Sequence, residues 1–70
     1  MFIEAYDSYY GKPGYSTTTI NSNYIVTMER YSYGEDIHGS DGWYRCQLST
    51  NREVFITAQD YENIIKKGTD

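Results

Sequence analysis

The plainest pattern in the chain is the alternation over residues 23–32. Tyr24, Val26 and Met28 fall on one side of an extended backbone, and Ile25, Thr27, Glu29 and Tyr31 on the other. Successive side chains of a strand point to opposite faces, so this run predicts a β-strand with Tyr24, Val26 and Met28 toward the core. Residues 43–49 repeat the pattern, with Tyr44, Cys46 and Leu48 inward and Trp43, Arg45 and Gln47 outward. Residues 53–57 return after Thr50-Asn51, and Val54 with Ile56 continues the apolar face. Two shorter runs precede these. Residues 2–6 open a strand, and the β-branched stretch 16–20 predicts a second, exposed one.

The period changes near the C-terminus. Tyr61, Ile64 and Ile65 stand at i, i+3 and i+4, with Ala58 a turn earlier, which is one stripe of a helix. Thr57 is placed to cap it and Asp60 completes a pair resembling a capping box, while Lys66 and Lys67 suit its C-terminal dipole and Gly68 can close it. So short a helix is not stable alone in water and has to dock on the sheet. Between the elements, Pro13-Gly14 fits the central positions of a type II turn and Asn21-Ser22-Asn23 is a turn cluster. Residues 33–42, with three glycines and three acids, predict a mobile hairpin loop. The expected fold is therefore a single α+β domain over residues 1–70: a small, mostly antiparallel sheet of three to five strands with one C-terminal helix packed on one face.

Composition sharpens this. Seventy residues lie near the lower limit for a self-supporting core, and nine of them are tyrosine. Aromatic bodies must fill part of the core, or a homodimer must share it. The formal net charge is −4 and the six basic residues are scattered, which argues against duplex nucleic-acid binding. A lone Cys46 cannot form an internal disulfide and reads as a reduced, structural thiol. The N-terminus lacks the basic and apolar regions of a signal peptide, and no run is long enough to span a membrane, so the expected location is the cytoplasm of the producing or host cell.

No constellation carries catalysis. Asp36, His38 and Asp41 match no zinc or calcium spacing. Cys46 points inward, and no third residue orients His38 as its base. Glu35, Asp36 and Asp41 lack the rigid cleft that a glycosidase pair needs. Gly11-Lys12-Pro13-Gly14 lacks the Gly-Lys-Ser/Thr end of a phosphate loop. The expectation is a protein without cofactor or metal that is not an enzyme.

What remains is the aromatic set. Alternation assigns Tyr24 and Tyr44 to the core face and Tyr61 to the helix stripe. It leaves Tyr9, Tyr10, Tyr15, Tyr31, Tyr33 and Trp43 on loops or the opposite sheet face. Tyrosine and tryptophan are favoured at interface hot spots. The reading is a small acidic interaction module that contacts a protein with a basic surface through Tyr31, Tyr33, Glu35, Asp36, Asp41 and Trp43. By analogy it extends to a phage-type inhibitor that occupies a nucleic-acid-binding surface of a host protein. The alternatives are a nucleotide or other small-ligand binder, using Tyr/Trp stacking with Arg30 or Arg45, and a structural subunit that assembles by strand addition.

The run Ile20-Asn21, Tyr24-Ile25-Val26, Tyr44-Arg45-Cys46-Gln47-Leu48, Val54-Phe55-Ile56-Thr57 and Tyr61-Glu62-Asn63-Ile64-Ile65 resembles the small FlbD-like proteins over residues 20–67. That resemblance implies strands followed by a terminal helix. The strand-strand-helix end is loosely similar to the end of LytTR-type domains. Neither resemblance supplies a site residue.

Overall fold

The computed structural model describes residues 1–31 and 42–68, with side chains to Lys66. The elements run β1 (Phe2–Tyr9), β2 (Lys12–Asn21), a 3-10 turn (Ser22–Tyr24), β3 (Ile25–Tyr31), β4 (Trp43–Leu48), β5 (Glu53–Thr57) and α1 (Ala58–Gly68). The strands form one five-stranded sheet in the order β2-β1-β5-β4-β3, and every neighbouring pair is antiparallel. This is the expected α+β class, at the upper end of the expected strand count. The expected loop at 33–42 lies outside the described residues except for Gly42.

Two sheet units meet at a narrow seam. β1 and β2 form one hairpin, while β3, β4 and β5 form a meander. β1 pairs with β5 only at Tyr6↔Phe55 and Asp7↔Val54. Side chains close the seam on both sides. Ser8 Oγ donates to Glu53 at 2.9 Å, and Arg52 pairs with Asp7 while donating to Thr18 Oγ1 at 3.0 Å. The 3-10 turn joins the two units by linking the edge strands β2 and β3, with Asn21 as its cap accepting from the Asn23 amide at 3.0 Å.

The aliphatic core consists of Ile3, Ala5, Ile20, Cys46, Leu48, Val54 and Ile56. Directly paired residues of neighbouring strands share a face, and the register puts these on one side. Ile25, Met28 and Tyr44 are partly buried against this cluster, as are Tyr61 and Ile64 of α1. Tyr61 stacks flat on Tyr44, with centroids 3.7 Å apart and planes 2° from parallel. The helix starts as its sequence predicts, with the Asp60 amide donating to Thr57 Oγ1 at 3.2 Å, and the Ala58 amide donates to the Gly42 carbonyl at 3.2 Å. Burial raises the Asp60 carboxyl above its ordinary value, and its hydrogen bond with Thr57 opposes that rise.

Two sequence expectations fail on bulges. In β3 the register steps from Ile25↔Leu48 to Thr27↔Gln47, so Val26 is an extra residue. The bulge puts Ile25 and Met28 on the same face and turns Val26 out, 64 % exposed; Tyr24 falls in the 3-10 turn, 61 % exposed. Neither Tyr24 nor Val26 belongs to the core. The second failure concerns Pro13-Gly14, which is not a turn. The β1–β2 hairpin turns at Tyr10 (φ 50°) and Gly11 (φ 78°), both left-handed as in a type I′ turn. Pro13 and Gly14 are buried in β2, where residues 14–16 stand against Asp7 alone. Proline is tolerated there because β2 is an edge strand. Glycine is needed because a Cβ at position 14 would sit 3.0 Å from the Asp7 carbonyl oxygen and 3.1 Å from Tyr9 Cβ. At the β4–β5 turn, Asn51 takes φ 67° and its amide donates to the Leu48 carbonyl at 2.9 Å, so asparagine fills the role usually given to glycine.

Two measurements check this packing. Gly14→Ala is expected to lower stability by about 1–3 kcal/mol in urea titration, because the strand backbone opposite cannot yield like a side-chain tip. The second concerns Cys46, whose thiol is fully buried and pushed up by burial from 9.0 to about 12. The folded state therefore holds this proton more tightly than the unfolded state. Its contribution to stability is complete below pH 9.0 and is lost as the pH rises toward about 12. Melting curves from pH 8 to 11 are expected to fall more steeply for the parent than for Cys46→Ala, which shares every other ionising group. Parallel slopes would contradict the buried thiol.

Candidate functional site

The sheet face away from the aliphatic core is not bare. Phe55, between Val54 and Ile56, projects to this side and is fully buried. Trp43 joins it at 3 % exposure. Tyr31 packs edge-on against Phe55 (4.9 Å, 68°) and Tyr6 edge-on against Trp43 (5.0 Å, 87°). These edge-to-face contacts are the favoured geometry for aromatic pairs, worth about 0.5–1.5 kcal/mol each beyond burial. The four rings form a second, aromatic core.

Beside the rings, the same face carries a polar row. Arg45 donates to Glu29 through Nε (3.0 Å) and Nη2 (2.5 Å), and its Nε lies 3.9 Å from Glu53. The Glu29 partnership raises the Arg45 pKa from its ordinary value. An open depression of about 210 Å³ is lined by Thr27, Glu29, Arg45, Gln47 and Glu53. With two carboxylates on one guanidinium, the depression has no spare positive charge for an anion. These pairs are exposed and screened by solvent, so they hold the side chains in place more than they stabilise the fold. Arg30 has its own acceptor, since its guanidinium lies 5.5 Å from the centre of the Tyr44 ring. A nucleotide site built on Arg30 or Arg45 would have to break these contacts.

The third candidate is the tip of the β1–β2 hairpin. Tyr10 is 88 % exposed and lies edge-on to Tyr9, with centroids 4.5 Å apart. Tyr15 is 78 % exposed farther along β2. No other described aromatic side chain is more exposed than Tyr10.

The expected contact residues separate. Tyr33, Glu35, Asp36 and Asp41 lie outside the described residues, as does His38. Tyr31 and Trp43 are neighbours across the β3–β4 ladder on the face that alternation gave them. Trp43 is nevertheless buried and Tyr31 half-buried, because both pack around Phe55 and Tyr6, so Trp43 does not offer the exposed surface expected of it. The signal for a second core was the unbroken run Val54-Phe55-Ile56, which marks a strand covered on both sides. The signal for the tip was a tyrosine placed directly before Gly11, where a two-residue hairpin usually carries asparagine or aspartate.

Among the described residues, no three His, Cys, Asp or Glu side chains are grouped to hold a metal, and no helix is long and apolar enough to cross a membrane. No family model, curated protein or solved structure matches this chain.

Proposed function

We propose that the protein is a non-enzymatic interaction module whose contact surface centres on the Tyr9–Tyr10 tip, with a basic protein surface as its partner. One observation carries this reading: Tyr10 is 88 % exposed on a left-handed backbone, φ 50°. A bulky side chain in that conformation is strained by roughly 1–2 kcal/mol, which asparagine or glycine at the same turn position would largely avoid. Nothing in the fold is gained by burying this ring, since it stays in solvent. Strain retained without a folding benefit points to a role in contact. The T-shaped partner Tyr9 steadies the ring, so less side-chain entropy is lost on binding. A net charge of −4 supports a basic partner by complementarity.

We also infer that α1 covers the aliphatic face and leaves the tip free. The flat stack of Tyr61 on Tyr44 and the packing of Ile64 on the core support this.

The decisive variant is Tyr10→Asn. It is expected to raise the melting temperature, because the strain is relieved, while weakening partner binding by roughly 2 kcal/mol, as loss of a hot spot does. The partner is first captured on immobilised parent protein, and both chains are then titrated against it at two salt concentrations. Equal affinity of parent and variant would remove the tip from the interface. A lower melting temperature for Tyr10→Asn would remove the strain argument.

A further inference from the structure

We propose that two copies of this chain join through the outer edge of β2, antiparallel across a twofold axis beside Thr18, so that each five-stranded sheet continues into its twin. The inference starts from how the two sheet edges differ. β3, one edge, has the Val26 bulge and the charged side chains of Glu29 and Arg30. Bulges and charges are the usual devices that keep an edge from pairing with another chain.

β2, the other edge, is guarded only in its first half. Pro13 and the irregular stretch at 14–16 disturb the backbone there. From Thr17 to Asn21 the ladder to β1 is regular, running from Tyr6↔Thr17 to Phe2↔Asn21. This half contains Thr17, Thr18, Thr19, Ile20 and Asn21, with no charge, no proline and no glycine. It is a strongly β-forming segment about as long as an average strand. Among the described residues, no strand pairs with its outer side.

The chemistry of that edge selects a second copy as the occupant. Two chains of net charge −4 repel wherever acids meet, but this segment has none to bring together. The nearest charges lie one strand in, on β1 and its neighbour: Asp7 and Arg52 neutralise each other behind Thr18, and Glu4 stands behind Thr19, away from the outer edge. A twofold axis beside Thr18 sets Thr17 opposite the partner's Thr19 on one face and Thr18 opposite its own counterpart on the other, within the regular half of the strand. Threonine pairs across antiparallel strands are favourable, and an interface of this symmetry uses the same patch twice. A small domain short of aliphatic residues also has more to gain than most from lengthening its sheet.

Sedimentation velocity on the full chain tests this from roughly 10 μM to 1 mM, the range suited to an interface of this small size. The parent is expected to shift from 8.2 kDa toward twice that mass as concentration rises. The double variant Thr17→Lys, Thr19→Lys places like charges across the axis and is expected to stay at 8.2 kDa with an unchanged far-ultraviolet spectrum. Amide exchange on the parent provides a check that needs no variant: outward amides of residues 16–20 are expected to slow as concentration rises. A parent that remains at 8.2 kDa throughout, a lysine variant that still dimerises, or exchange independent of concentration would each overturn the proposal. The lysine variant leaves Tyr9 and Tyr10 intact, so its result is separate from that of the tyrosine contact.

Discussion

Strand β5 buries three consecutive side chains, and the rest of the molecule depends on covering both sides of it. Val54 and Ile56 need aliphatic neighbours on one face, while Phe55 needs a cover on the other. Fully burying one such side chain contributes about 1.5–3 kcal/mol, so none of the three can be left half-solvated in so small a domain. β4 supplies Cys46 and Leu48 on the first face and Trp43 on the second. β1 supplies Ile3 and Ala5 on the first and Tyr6 on the second. With β1 and β5 sharing only two ladder pairs, the side-chain ties at Ser8–Glu53 and Asp7–Arg52 hold the two sheet units in register at the point where burial is greatest.

This division explains how a chain with few aliphatic residues makes a core. The buried isoleucines, leucine and valine lie on one face, and the buried part of the other is made of rings. It also explains why the tyrosines could be recognised from sequence as a class but not sorted individually. Alternation placed Tyr31 and Trp43 on the face opposite Cys46 and Leu48, which is where they are. Whether that face is wet or dry depends on Phe55 and Tyr6 arriving from β5 and β1, and a strand-by-strand reading does not contain that pairing. Tyr44 and Tyr61 were legible because each lies on a stripe of its own element, and their stacking follows from the two stripes meeting.

The misread positions share a physical cause. Period-two alternation holds only while the ladder is unbroken, and one extra residue at Val26 moves every earlier side chain of β3 to the other face. The Pro13-Gly14 pair has the turn chemistry expected of it, but the close approach of Asp7 and Tyr9 gives the glycine a different use. The extents of β4 and β5, the Thr57 cap and the terminal helix were legible because they rest on local interactions, whereas β1 (Phe2–Tyr9) and β2 (Lys12–Asn21) run well beyond the expected 2–6 and 16–20. The bulges were not, because they settle contacts between strands distant in sequence.

The exposed surface follows the same division of labour. Arg45 and Arg52 are matched by carboxylates of their own chain, and Arg30 lies over the Tyr44 ring. The described cations therefore largely serve the fold, while exposed acids such as Glu4 and Glu62 add to the net negative charge. In the proposed contact, a partner meets an acidic body on which Tyr10, the most exposed ring among the described residues, stands on a backbone conformation that disfavours it. In such a contact, acids attract over distances of about a Debye length and act mainly on the rate of encounter, whereas a ring fixed by its neighbour acts mainly on how long a complex lasts. Placing the ring at a two-residue turn keeps it clear of both cores, so the proposed contact at the tip can be tuned without disturbing what covers β5.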